Sequence, residues 1–296
     1  MTKFFDSAIG LLLVNGAMLG LTLPLGKLAA QAGVAPVVWA FMISLGSGLV
    51  LLAVSARRGG RVRLSGHKLR YFFITAAVSY ALPNMLLLSA LPHLGAGFSG
   101  IMYTLSPIVT LVLSLALGVR KPTGLGIAGI LVGAVGAVMV AATRGEVGAP
   151  ADIFWVAMGM LMPVSLAVGN VYRTMDWPRD STPVELAIGS HLAAAAMLLA
   201  GALLTVGGAS FGALQAVPYL ALAQIAASSI MFALFFRLQA VGGPVYLSQI
   251  GYVAAAVGLL SGLLFLDESY SLLTWAGALV IAAGVAMTTR AQRRPS

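Results

Sequence analysis

Apolar stretches of about 20 residues recur along the whole chain, each long enough to cross a hydrocarbon core of about 30 Å as a helix. They fall near 8–30, 36–55, 71–91, 95–117, 124–142, 152–174, 184–206, 215–237, 243–266 and 271–289. Ala, Leu, Gly and Val dominate them, without the polar–apolar alternation of a lipid-facing barrel strand. The pattern therefore predicts an all-α polytopic membrane protein with ten transmembrane helices. The polar breaks are short. The longest is the basic stretch from Ala56 to Arg70, and none is large enough for a soluble domain. Met1 to Ala8 shows no basic region followed by a small-residue cleavage site, so the first span is expected to be retained.

Composition strengthens this reading. Of 296 residues, 60% are hydrophobic and 8% are charged, against about 25% charged in a soluble domain. The surface therefore faces lipid. Cysteine is absent, which excludes a disulfide framework, a thiol nucleophile and a thiolate metal site.

Cytoplasmic loops retain Lys and Arg. With ten spans and both termini inside, the cytoplasmic side receives Lys3, Arg57, Arg58, Arg61, Arg63, Lys68, Arg70, Arg120, Lys121, Arg173, Arg179, Arg237, Arg290, Arg293 and Arg294, and only Lys27 and Arg144 fall outside. A wrong helix count would scatter the cations between the two sides. The net charge of +9 is accounted for by basic loops meeting anionic headgroups, with no need of nucleic acid.

The two halves repeat. Pro36, Val37 and Ala40 recur as Pro183, Val184 and Ala187, and Gly95 recurs as Gly242, all at an offset of 147. Gly129, Gly136 and Met139 recur as Gly277, Gly284 and Met287 at 148. The expected units are residues 1–147 and 148–296, five spans each, and an odd number inverts the second unit relative to the first. Inverted repeats are the architecture of many secondary transporters, with the substrate site near the midplane between them.

The segment Leu105 to Gly136, with Ser106-Pro107 entering a helix, a charged turn and then a Gly-rich helix, resembles an EamA repeat. Gly262 to Met287, with a helix ending at Glu268, a short turn and a Gly-spaced final helix, resembles the end of a second one. The chain is thus similar to the drug/metabolite transporter superfamily, and within it most like the YddG-type exporters of aromatic and other neutral amino acids. That resemblance implies a secondary transporter in a bacterial inner membrane, acting by alternating access. One departure is Arg120-Lys121 in the first half where the second has Asp267-Glu268.

Polar groups inside spans are expensive and default to functional candidates. Asn15, Asn84, Asn170, His191, Ser228, Ser248 and Gln249 lie mid-span, with Trp39, Tyr80, Tyr103, Tyr246 and Tyr252 as possible cavity walls. Tyr246, Gln249 and Tyr252 are spaced three apart, on or near one face of a continuous helix. Interhelical glue is the competing role for Asn, Ser and Gln, and belts at the membrane interface are the competing role for aromatics, to which Trp155, Trp177 and Trp275 are assigned. Pro24, Pro83, Pro107 and Pro163 lie inside spans, where each removes a backbone hydrogen bond.

Absences narrow the substrate. No acid lies mid-membrane, and Asn15 stands where small multidrug relatives have a glutamate, which disfavours a cation/proton antiporter of that design. Arg173 and Arg237 read as snorkelling from helix ends, so neutral or zwitterionic solutes fit better than phosphorylated ones. Three scattered histidines, His67, His93 and His191, and no clustered acid argue against an enzyme, and no catalytic residue, metal or cofactor is expected. The expected partners are a small molecule and membrane lipid, and the chain is expected to be a monomer or weak homodimer. The alternatives are an exporter of other small neutral metabolites or drugs, and a structural or sensory membrane subunit.

Overall fold

The computed structural model describes residues 7–119, 123–143, 145–146 and 149–293. Lys3, Arg120, Lys121, Arg144 and Arg294, used in the charge argument above, lie outside the described residues. Among the described residues the regular structure is helical apart from a two-residue antiparallel ladder joining Gly145–Glu146 to Ala149–Pro150.

Helix α1 (Ala8–Gln31) starts at Ser7, whose hydroxyl accepts the Gly10 amide at 3.0 Å. Helix α2 (Pro36–Arg57) opens on proline, whose missing N–H is unneeded there. Then follow α3 (Gly66–Leu94), α4 (Ala96–Ala116) and α5 (Gly124–Thr143). The second half has α6 (Ile153–Met175) behind an Asp152 cap and α7 (Pro183–Thr205) behind a Thr182 cap. A 3₁₀ turn (Gly208–Ala216) leads to α8 (Pro218–Ser248), α9 (Ile250–Phe265) and α10 (Leu272–Arg293). Among the described residues, α1 to α4 and α6 to α8 are the seven helices long and apolar enough to cross a membrane; α5, α9 and α10 hold the shorter apolar stretches Gly124–Val140, Ile250–Phe265 and Leu272–Gly284.

Three helices are broken where glycine and proline foretell a break without foretelling its form. In α3 the residues Ala77–Ala81 form a π turn. Pro83 has no N–H to return to the carbonyl of Ser79, so the ladder slips by one residue just upstream. In α4 the turn Tyr103–Leu105 is 3₁₀ because Pro107 withholds its bond from the Tyr103 carbonyl. Helix α8 runs through the expected boundary near 243: Gly243 (φ 69°) redirects the chain, the helix resumes to Ser248, and Gln249 separates it from α9. Gln249 therefore sits in a turn just ahead of the helix that carries Tyr252. Gly95 (φ 79°) makes the matching break between α3 and α4. Both positions need a left-handed backbone that only glycine adopts without strain. The structural partner of Gly95 is thus Gly243 rather than Gly242.

The helix neighbours come in mirrored pairs. Helix α1 packs against α8 and α9, and α6 packs against α3 and α4. Helix α2 lies on α8 as α7 lies on α3, while α2–α7, α4–α9 and α5–α10 pair across the halves. Gly16 and Gly20 bring α1 onto the α9 backbone at Ile250 and Ala254, where any side chain would collide. Gly251 does the same where α9 crosses α4, against the Tyr103 carbonyl.

Candidate functional site

The breaks and the crossing surround a cavity between the halves. Helices α1 to α4, α6, α8 and α9 contribute to its lining. Trp39, Tyr80, Tyr103, Phe232 and Phe235 form aromatic walls and leucines an aliphatic side, while the polar points include Ser79, Asn84, Asn170, Gln224, Ser228 and Ser248. No Asp, Glu, Lys or Arg lines it among the described residues.

Of the residues expected at a site, Trp39, Tyr80, Asn84, Tyr103, Asn170, Ser228 and Ser248 meet in this one cavity. The buried Trp39 Nε1 and Tyr80 Oη have no hydrogen-bond partner among the described residues, which leaves both available to a solute. Asn84 is half-buried on the wall. Ser228 Oγ accepts from Gln224 Nε2 at 3.1 Å, and Ser248 Oγ donates to the Val245 carbonyl at 2.8 Å.

Four others lie elsewhere. Asn15 is fully buried, and its amide donates to the Leu11 carbonyl of its own helix at 2.8 Å. Gln249 occupies the turn between α8 and α9, buried but off the cavity wall. Tyr252 faces a smaller pocket lined by Ile101, Thr104, Ala255 and Ile281. His191 sits one layer behind the wall, its ring 4.2 Å from Tyr80 and 3.9 Å from Phe232 (centroid to centroid), with neither nitrogen hydrogen-bonded. The side chain of Tyr246 lies outside the described residues.

Sequence reasoning misplaced Arg173. It does not snorkel: it is 1% exposed and turned inward. Its Nε donates to Gln239 Oε1 at 2.7 Å and one terminal nitrogen to Asn170 Oδ1 at 2.6 Å, while the other donates to Ser79 Oγ. The guanidinium also lies over the Phe235 ring, 5.0 Å from its centroid. Ser79 is held here by the π turn, and Gly169 leaves the room it needs. Asn170 and Arg173, three apart on α6, share a face; that spacing was the one available signal.

Two charged clusters flank the cavity helices. At one end Glu268, 1% exposed, accepts from Lys27 Nζ at 2.6 Å and from the amides of Ala96 and Gly97 at 2.7 and 3.1 Å, as well as from the Tyr270 hydroxyl. It thereby joins α1, the N-terminus of α4 and the α9–α10 turn. Burial alone would raise the Glu268 carboxyl, but the donors from Lys27, Tyr270, Ala96 and Gly97 bring it below its ordinary 4.5. A carboxylate with a depressed folded pKa contributes stability above the unfolded value and loses it as pH falls. Thermal stability is therefore expected to show no step from this group between about pH 8 and about pH 5, and an acid limb below that range that disappears in Glu268→Gln. A limb unchanged in the variant would refute the assignment. At the other end Asp176 accepts from His67 at 2.9 Å, Arg70 at 2.9 Å and Tyr172 at 2.6 Å, and Lys68 donates to Glu185 at 2.8 Å.

Comparison with known proteins now bears on this geometry. The EamA-like transporter family matches residues 6–142. This half of the chain carries an EamA-like domain. Proteins of that family are membrane transporters of small solutes and not enzymes, and the apolar helices make the chain a multi-pass membrane protein in contact with lipid. A crystal structure is similar over 93% of this chain and 98% of its own, with a TM-score of 0.65 and 20% identity, a likeness of fold alone. No curated protein matches.

Proposed function

We propose that the EamA-like domain and the half that follows it form one secondary transporter of neutral amino acids with apolar or aromatic side chains. In this reading residues 1–147 and 148–296 are inverted repeats, ten helices cross the cytoplasmic membrane of a bacterium, both termini are cytoplasmic, and transport is outward by alternating access. The mirrored helix pairs and the matching breaks at Gly95 and Gly243 support the repeat.

One observation carries the substrate reading: the cavity at the crossing of two broken helices combines aromatic walls with a few uncharged polar groups. Such a surface suits a small amphipathic solute. Trp39, Tyr80, Tyr103 and Phe232 pack on the side chain, and Asn84, Asn170, Ser228 and Ser248 hydrogen-bond the head group. In this reading the Glu268–Lys27 cluster lies toward the outer end of the helices and the Asp176 cluster toward the inner one.

The test is uptake of labelled phenylalanine, methionine and threonine into proteoliposomes, with and without a pH gradient. Saturable uptake blocked by unlabelled competitor is expected. Folded protein that moves none of these, but moves a neutral metabolite or drug, would replace the amino-acid reading.

Pro83→Ala is a local check. The new N–H can bond the Ser79 carbonyl and close the π turn, rotating Ser79 and Tyr80 away from their present places. Uptake is expected to fall by roughly an order of magnitude with little change in melting temperature. Unchanged uptake would mean that the turn does not set the wall.

A further inference from the structure

We propose that the carboxylate of the solute is the group this cavity recognises, through the corner organised by Arg173, and that amphipathic monocarboxylates are accepted whether or not they carry an α-amine. The inference rests on reading the cavity as the transport pathway. It goes beyond that reading in naming the obligatory part of the substrate.

Arg173 is buried, and among the described residues no carboxylate pairs with it; its acceptors are the neutral oxygens of Gln239, Ser79 and Asn170. A guanidinium cannot shed its proton to escape burial. An unpaired intramembrane charge marks a ligand path unless something compensates it. Two of the three acceptors, Ser79 and Asn170, line the cavity, and so does Phe235 beneath the guanidinium plane. The charge is therefore one side chain from the solute.

Hydrogen-bond polarity carries it the rest of the way. Ser79 Oγ accepts from Arg173, so its own proton is left to be donated. Asn170 spends its carbonyl oxygen on Arg173, so only its Nδ2 protons remain, and the one acceptor they have among the described residues is Thr110 Oγ1 at a long 3.4 Å. Arg173 thus orients two cavity residues as donors and backs them with positive charge, an arrangement suited to an anionic oxygen pair. Nothing comparable awaits an ammonium, since no acid lines the cavity among the described residues. In this arrangement Arg173 is a positioning residue, and Ser79 and Asn170 make the contact.

The test is inhibition of labelled phenylalanine uptake in wild-type proteoliposomes by three analogues: 3-phenylpropionate, which keeps only the carboxylate; phenethylamine, which keeps only the amine; and 3-phenylpropionamide, the uncharged isostere. 3-Phenylpropionate is expected to inhibit nearly as well as phenylalanine, and the other two to need about tenfold more. Equal inhibition by phenethylamine or by the amide overturns the proposal while leaving amino-acid transport standing. If phenylalanine is not moved, the same analogues are compared by thermal stabilisation of the purified protein. Stabilisation by 3-phenylpropionate alone keeps the carboxylate site and removes the amino-acid reading; none removes both. Arg173→Lys should keep the preference for carboxylate over amide, and Arg173→Gln should erase it. A merely structural arginine would lower uptake and leave that ratio intact. The wild-type panel decides the matter if Arg173→Gln does not fold.

Discussion

Glu268→Gln is expected to destabilise the protein by about 3–5 kcal/mol, the cost of removing one member of a buried charge pair. The carboxylate takes four donors with two oxygens: Lys27 Nζ and the Ala96 amide on Oε1, the Gly97 amide and the Tyr270 hydroxyl on Oε2. An amide side chain offers one oxygen and turns an N–H₂ toward the donors left over. It also removes negative charge from the N-terminus of α4, where the helix dipole favours it. The melting temperature should fall on the order of 10 °C, read by thermal denaturation in detergent. Lys27→Met should cost less, because the two amides and the hydroxyl still hold the carboxylate. The double variant should cost clearly less than the sum, since with both charges gone no buried ammonium is left without its anion. A fall of less than about 2 °C for Glu268→Gln would show that the cluster does not hold these helices together.

The span positions were legible because hydrophobic length is a property of the segment itself. The helices α1, α2, α6 and α7 run within a few residues of their expected limits. The breaks were half legible. Pro83 and Pro107 say that a hydrogen bond is lost, but whether the helix answers with a π turn, a 3₁₀ turn or a kink depends on what packs beside it. The spacing of Gln249 and Tyr252 shows the limit: a spacing of three defines a face only within a continuous helix, and Gln249 lies in the turn before α9.

Arg173 failed differently. Two residues from the end of α6, an arginine is as well placed to snorkel as to turn inward. Its partners Ser79 and Gln239 lie 94 and 66 residues away, so nothing local distinguishes the two. Separation in sequence likewise hid the Lys27–Glu268 pair, 241 residues apart. Asn15 was expected to face a solute, yet its amide already has an acceptor in its own helix. A mid-span amide has that local option, and a guanidinium, with five donors to satisfy, does not.

Gly136→Val and Gly284→Val are expected to be more damaging than any cavity variant. A Cβ on Gly136 would lie 2.7 Å from the Gly277 carbonyl and 2.7 Å from the Ile281 amide; one on Gly284 would lie 2.5 Å from the Gly129 carbonyl. These neighbours are backbone, so no change of rotamer relieves the contact, and α5 and α10 must separate along their length. The cost exceeds the roughly 1–3 kcal/mol of ordinary overpacking, and the yield of folded, monodisperse protein should drop severely. Gly124→Ala is the contrast: no atom lies within 4 Å of a Cβ there, so little change is expected. The arrangement also bears on the repeat. Under the offset of 148, Gly129 maps to Gly277 and Gly136 to Gly284. The observed contacts are Gly136 with Gly277 and Gly129 with Gly284, the exchange that a two-fold axis between the helices requires. If that axis governs the pair, the two valine variants should be equally severe. A mild Gly284→Val beside a lethal Gly136→Val would mean that the glycines recur in sequence without sharing one packing solution.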